Sequence, residues 1–272
     1  MYKTILVHVD VKPGARERAE LAVDLARRFE ARLIGLAAAL PRPPVEAITA
    51  GVMDASILEL ERTEIADDFK AAEDHFRAAT AGSGVALEWR TADNFPTLAL
   101  AEAADAADLV IVGRRENGLL ANDYLTADPG DLVMRAGRPI LVASSRLSRL
   151  DVRRVLVAWK STREARRAIS DAMPFLKRAE TVNLVEIRES GEASSLADPE
   201  AFLAAHGVKF RGEALDRGSA AIEAQLSAFA EREKADLIVA GGYGHARLRE
   251  LVFGGVTRSL IGGSALPCLL SH

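Results

Sequence analysis

Short apolar runs alternate with amphipathic stretches along the whole chain. Residues 5–9 and 155–159 are rich in β-branched residues, as is typical of parallel strands buried on both faces. After the second run, Ser161 and Glu164 match the Ser/Thr-x-x-Glu capping box, and apolar residues then recur every three or four positions, as on a packed helix. Such alternation predicts an α/β fold built on doubly wound parallel sheets. The other strands predicted in this way are 33–38, 109–112, 140–143, 182–187, 237–240 and 268–271.

The chain repeats itself. Segment 3–10 aligns with 153–160 at an offset of 150, and segment 107–113 aligns with 235–241 at an offset of 128. These offsets predict two whole domains, residues 1–147 and 148–272, with 22 extra residues in the first copy. The extra residues are placed in a long helix predicted over 53–79. We expect this helix to pack on the sheet, with a lid or a partner-binding helix as the alternative.

Glycines cluster directly after the fourth strand predicted in the second copy. Gly241, Gly244 and Gly254 have the spacing Gly-x2-Gly-x9-Gly, and Gly255 comes just before a predicted helix. Glycine at a strand end permits a positive φ and lets a ligand approach without a Cβ in the way. The unpaired N–H groups and the positive dipole end of a helix favour a phosphate, and Thr257 adds a hydroxyl in that first turn. The pattern therefore predicts a phosphate site.

This glycine spacing resembles that of the universal stress protein family. Three further motifs share the resemblance: Gly-His at 244–245, Gly-x-Val-Thr at 254–257 and Leu-Pro-Cys-Leu-Leu at 266–270. The whole chain resembles the tandem form of this family. The resemblance implies a five-stranded, nucleotide-binding-type sheet in each domain and pairing of the domains through their last strands. Some members of the family bind ATP with these glycines, and others do not. For this chain it implies a stress-response binding or signalling module with a site for ATP, or another adenine nucleotide, in the second domain only. The predicted nucleotide-binding residues are Gly241, Gly244, Gly254, Gly255, Val256 and Thr257 at the phosphates, and Lys160 and Ile187 toward the nucleoside.

Two residues of the second copy depart from the family pattern. ATP-binding members usually have Ser or Thr directly after the third glycine, where this chain has Gly255. Loss of a hydrogen bond to a charged group costs about 1.5–3 kcal/mol. The Asp that the family tends to have near the end of the first strand is replaced by Lys160, which can approach a phosphate but cannot accept a hydrogen bond from the nucleoside. The alternative is therefore a universal stress protein that binds no nucleotide and acts as a structural or dimerisation module.

The first copy has lost these glycines. The offset of 128 places Glu116 where the second copy has Gly244, and Ala127 where it has Gly255. A carboxylate about 5 Å from a phosphate, at an effective dielectric of about 20, repels it by about 3 kcal/mol. Asp10 keeps the residue of the family's first strand. We therefore predict that the first copy does not bind a nucleoside triphosphate through this loop.

Composition narrows the function further. A net charge of −4 and only 5% aromatic residues argue against binding to nucleic acid, and every apolar run is too short to span a membrane. Cys268 is the only cysteine, which excludes a disulfide within the chain and a thiolate metal cluster. No P-loop, nucleophile motif or metal-ligand spacing of histidines is present. We expect a cytoplasmic protein that is not an enzyme, with weak ATP hydrolysis left open, and the sequence also allows two chains to pair as a homodimer.

Overall fold

The computed structural model describes residues 1–41, 55–114, 123–242, 255–262, 264 and 266–272. The strands are β1 (Thr4–His8), β2 (Arg32–Ala38), β3 (Leu87–Ala92), β4 (Leu109–Gly113), β5 (Ile140–Ala143), β6 (Arg154–Trp159), β7 (Thr181–Arg188), β8 (Phe210–Asp216), β9 (Leu237–Gly241) and β10 (Cys268–Ser271). The helices are α1 (Ala15–Phe29), α2 (Ala55–Thr80), α3 (Pro96–Ala103), α4 (Pro129–Arg135), α5 (Arg163–Leu176), α6 (Ala197–Ala205), α7 (Ile222–Arg232) and α8 (Gly255–Gly262), with a 3-10 turn at Ala104–Ala106. None of the described helices combines the length and the apolarity needed to cross a membrane.

The strands form one sheet in the order β3-β2-β1-β4-β5-β10-β9-β6-β7-β8. Within β1–β5 and within β6–β10 all neighbouring strands are parallel, and the winding reverses between β1 and β4 and between β6 and β9. The two halves join where β5 and β10 pair antiparallel, with Leu141 opposite Leu269. The α/β class, two doubly wound five-stranded units, is confirmed, and the last strands pair within the chain as expected.

Apolar side chains fill the space on both faces of the sheet, in two clusters that each include residues of both halves. On one face the halves meet through Tyr2, Phe29 and Phe175, whose ring centroids lie 5.1–5.6 Å apart in edge-to-face geometry. The Tyr2 hydroxyl also donates a hydrogen bond of 2.5 Å to the backbone oxygen of Asp171. Because the core runs through this junction, the halves are packed together and not only joined by strand pairing.

Three elements, two edge strands and one helix, show how far the apolar pattern of the sequence predicts the fold. The edge strands β3 and β8 contain exposed and half-exposed positions and mixed polar sequence, so no continuous apolar run marks them. Helix α2 has 26 residues against 9 in α6, its counterpart in the second half, and this difference accounts for most of the expected surplus. Its Ile65, Ala72 and Phe76 are buried, as in a helix packed on the sheet.

The predicted capping box at Ser161 and Glu164 is wrong by one residue. Thr162 caps α5, because its side-chain oxygen accepts a hydrogen bond of 3.3 Å from the backbone N–H of Ala165. Glu164 forms an ion pair with Arg163 instead of closing the box. The helix therefore begins at Arg163, one turn away from the end of β6, and its first turn lies beside the candidate site.

Candidate functional site

The carboxyl ends of β6 and β9, here called the second-half corner, mark the point where the winding of the second half reverses. Lys160 directly follows β6, and the register of the two parallel strands places it at the same edge as Gly241, the last residue of β9. Ile187 lies at the same level in β7, on the other side of β6. Ligands of doubly wound sheets bind at this kind of position. The structure therefore brings three of the predicted nucleotide-binding residues together.

The packing around Gly241 leaves no room for a side chain at this position. A Cβ added to it would lie 2.6 Å from the backbone nitrogen of Ala165 and 2.7 Å from the carbonyl carbon of Glu164. The φ angle of Gly241 is not positive, so the expectation that a strand-end glycine serves a left-handed turn is wrong at this position. Close approach of β9 to the first turn of α5 is a sufficient reason for glycine here.

Helix α8 begins at Gly255 and carries no acidic residue in its first turn. Gly255, Val256 and Thr257 therefore form a helix start, as the sequence predicted, and the Thr257 side chain is buried, with 5% of its surface exposed. Gly244 and Gly254, the remaining members of the glycine spacing, lie outside the described residues. A helix N-terminus with no acidic residue in its first turn favours an anion.

The opposite end of α8 is held by an arginine from the other half of the protein. Arg114, which follows β4, donates hydrogen bonds to the backbone oxygens of Leu260 at 2.9 Å, Ile261 at 3.3 Å, and Leu266. A cation at a helix C-terminus is favoured by the helix dipole. This contact was not predicted, because the two segments are brought together only by the pairing of β5 with β10.

A hydrogen-bond network covers the end of β7. Glu186 accepts hydrogen bonds from the Ser194 hydroxyl at 2.8 Å and from the Ser195 backbone N–H at 3.0 Å. It also accepts one from the Ser195 hydroxyl. The indole N–H of Trp159 donates to the Ser195 oxygen at 2.9 Å. Burial acts to raise the pKa of Glu186, but the hydrogen bonds from Ser195 and Ser194 hold it below the usual value. A glutamate between the apolar residues Val185 and Ile187 was the sequence signal available for this network.

In the first half, the equivalent corner at the ends of β1 and β4 is filled by Arg18. Its Nε donates a hydrogen bond of 2.7 Å to the backbone oxygen of His8, and its Nη2 lies 3.0 Å from Oδ1 of Asp10. The guanidinium is packed so tightly against Gly113 that a Cβ added there would collide with it. Only 5% of the Arg18 side chain is exposed, so Asp10, the residue kept from the family pattern, is engaged within the protein.

Helix α4, the counterpart of α8, starts with its backbone donors already used. Oδ1 of Asp128 accepts hydrogen bonds from the N–H groups of Gly130 at 2.8 Å and Asp131 at 3.3 Å. Pro129, the first residue of the helix, has no N–H group. A phosphate would therefore meet a carboxylate where the donors should be.

The cavity that remains in the first-half corner has a volume of ≈ 150 Å³, below the roughly 300 Å³ at the lower end of ligand pockets. Its described charged lining consists of Lys12, Arg18, Arg114 and one carboxylate, Asp10, whereas the sequence predicted a more acidic corner. Glu116, on which that expectation rested, lies outside the described residues. The first-half corner is therefore closed because the Arg18 side chain occupies it.

The model of the universal stress protein family matches residues 1–142. The chain belongs to the universal stress protein family. The matched residues are those of the first half, which lacks the glycine spacing, and the second half has the same strand order. Among curated proteins the search found no match.

Solved structures show the same fold over nearly the whole length of this universal stress protein. One from Archaeoglobus fulgidus DSM 4304 is 16% identical, with a TM-score of 0.72, and the match covers 98% of this chain and 95% of that one. A protein of unknown function from Pseudomonas aeruginosa PAO1 is 17% identical, with a TM-score of 0.62 and coverage of 99% and 92%. A universal stress protein solved in complex with cAMP is 25% identical over 53% of this chain and 98% of its own, with a TM-score of 0.36.

Proposed function

We propose that this universal stress protein binds an adenine nucleotide, such as ATP, in its second half only, and acts as a stress-response binding or signalling module. We further propose two domains, residues 1–147 and 148–272. The observation that carries the proposal is the contrast between the two equivalent corners of the sheet. The first is filled by the Arg18 side chain, and among the described residues the second has the smaller Ala168 at the equivalent position.

The first-half corner supports the proposal through two contacts. The Arg18 guanidinium lies against Gly113 and is fixed by Asp10 and the His8 carbonyl. Asp128 caps helix α4, the counterpart of α8 in the repeat. A nucleotide would have to displace a buried ion pair, and breaking such a pair costs about 3–5 kcal/mol.

The second-half corner differs at both places. The offset of 150 puts Ala168, which is buried, at the position of Arg18, and alanine cannot reach across to the strand end. Helix α8 has no acidic residue in its first turn. Lys160 at the end of β6 supplies a positive charge where the first half has Asp10. Backbone N–H groups of 255–257 would then bind the phosphates, with the nucleoside toward Lys160 and Ile187.

Specific observations also favour a second candidate function, a structural or interaction module that binds no nucleotide. Gly241 is explained by its packing on α5, and the Thr257 side chain is buried. Glu164, a buried carboxylate paired with Arg163, lies next to Gly241, and an anion would be repelled by it. On this alternative, the glycines serve packing and the continuous sheet serves assembly, including the pairing of two chains as a homodimer.

Equilibrium dialysis with labelled ATP separates the two functions. We expect one ATP per wild-type chain, and binding weakened about 100-fold by Gly244→Glu, which gives the second half the residue that the first half has at Glu116. The matched variant Glu116→Gly should still bind one ATP, because Arg18 and Asp128 keep the first corner closed. Two ATP per chain in that variant would contradict the closed first corner, and no binding at millimolar ATP would contradict the nucleotide site and favour the interaction module.

A further inference from the structure

A groove of ≈ 470 Å³ lies where the two halves meet, on the side of the aromatic cluster. It is formed by the chain before β1, the end of α1, the turns before β4 and β5, and helix α5 with the two residues after it. It includes none of the predicted nucleotide-binding residues. Its volume lies within the range of roughly 300–1,000 Å³ that is usual for small-molecule sites, which occur often at domain interfaces.

The floor of the groove is apolar and held in place from both halves. Phe29 packs edge-on against Tyr2 and Phe175, and Pro139, Met173 and Pro174 continue the apolar surface. The hydrogen bond from the Tyr2 hydroxyl to the Asp171 backbone oxygen fixes one side of this floor. A surface that is already ordered lowers the entropy that a ligand loses on binding.

The rim of the groove carries an excess of positive charge. Four cations line it, against the carboxylates Asp108 and Asp171. Both carboxylates are used within the protein: Asp108 accepts hydrogen bonds from the backbone N–H groups of Lys3 at 2.6 Å and Thr4 at 2.9 Å, and Asp171 is paired with Arg167 at 3.0 Å. The cations of the rim are Arg138, Arg167, Lys177 and Arg178.

Two of these cations form no side-chain hydrogen bond or ion pair with the residues that the structure describes. Arg178 donates to the backbone oxygen of Arg28 at 2.7 Å and stacks 4.8 Å over the Phe29 ring, and Arg167 is committed to Asp171. The side chains of Arg138 and Lys177 are exposed, and within the part of the chain that the structure describes neither has a hydrogen-bond or ion-pair partner. They come from different halves and meet at one groove.

We propose that this groove binds a small organic anion with an aromatic or aliphatic body. The acid group lies at Arg138 and Lys177, and the apolar body packs on Met173 and Pro174, the half-buried residues of the floor. The ordered floor and the uncommitted cations together select this class over neutral apolar compounds, which leave the cations unused, and over inorganic anions, which leave the floor uncovered.

Methyl NMR of methionine tests the site directly, because the chain has four methionines and two of them, Met1 and Met173, line the groove. The probe is naphthalene-1-sulfonate, an aromatic anion whose ring shifts nearby methyl signals. We expect saturable shifts of both signals, while the exposed Met134 outside the groove stays unchanged. Naphthalene-1-methanol, the neutral match, should bind about tenfold more weakly.

Charge reversal of the two uncommitted cations provides the decisive comparison. Arg138→Glu/Lys177→Glu should raise the dissociation constant by about tenfold or more. The control Arg146→Glu/Arg211→Glu makes the same charge change at exposed sites outside the groove and should keep the wild-type affinity. All four substituted side chains are exposed, so we expect both double variants to keep the fold. An unchanged Met134 signal checks this. Unchanged affinity in the first double variant, or no saturable shift of Met173 with millimolar probe, would overturn the proposal.

Discussion

Arg18→Ala is expected to lower the free energy of unfolding by about 3–5 kcal/mol. The substitution leaves the Asp10 carboxylate, with only 16% of its side chain exposed, without the guanidinium that lies 3.0 Å from it. It also removes the hydrogen bond from Nε to the His8 backbone oxygen. Urea unfolding followed by tryptophan fluorescence measures the loss.

Two further variants assign this loss to the buried ion pair. Arg135→Ala breaks an exposed pair with Asp131 and should cost less than about 1 kcal/mol. The double variant Arg18→Ala/Asp10→Ala should be more stable than Arg18→Ala alone, because no unpaired charge is left in the corner. If Arg18→Ala cost no more than Arg135→Ala, the first-half corner would not be held closed by this pair.

Acidification is expected to destabilise the protein through His8. Burial lowers the pKa of His8 from 6.5 to about 4, and its Nε2 has no hydrogen-bond partner among the described residues. Between these two pH values the unfolded chain takes up a proton that the folded protein does not, so stability falls as the pH falls from 6.5 to 4. This difference in the pKa of His8 between the unfolded and folded states lowers the free energy of unfolding by about 3 kcal/mol at pH 4.

The variant His8→Gln should lack this loss between pH 6.5 and 4, since glutamine does not titrate. His206→Gln, at an exposed site, should keep the pH dependence of the wild type. Asp10 acts in a lower window: burial favours its neutral form, but the Arg18 guanidinium holds its pKa below the usual 3.8. Urea unfolding at pH 7, 6, 5 and 4 makes the comparison, and parallel curves for wild type and His8→Gln would refute the role of His8.

The sequence predicts the buried strands well, because strands covered on both faces must be apolar throughout. Strands β1 and β6 each contain a continuous apolar run and lie at the centre of their half-sheets. The edge strands β3 and β8 have no such requirement, since one side of each faces solvent. Because they contain polar residues, the apolar pattern of the sequence does not reveal them as strands. The internal repeat predicts that the two halves have the same strand order, which no single element of the sequence could indicate.

The candidate site is predictable only where it depends on chain order. Lys160 and Gly241 meet because parallel strands end at one edge of a sheet, and this follows from the order of elements. Arg18 lies on the buried side of α1, among apolar residues at helical spacing, and that position was a signal of an internal partner. The partner, Asp10, and the collision with Gly113 depend on packing across three elements, as does the contact of Arg114 with α8.

The location of bound nucleotide tests the central claim most directly, and a crystal structure of the protein grown with millimolar ATP provides it. We expect electron density for one nucleotide per chain, at the ends of β6 and β9, with its phosphates at the first turn of α8. The ends of β1 and β4 should show the Arg18 guanidinium beside Asp10 and no nucleotide. Density for ATP at the ends of β1 and β4, or an empty second-half corner at that concentration, would contradict the account.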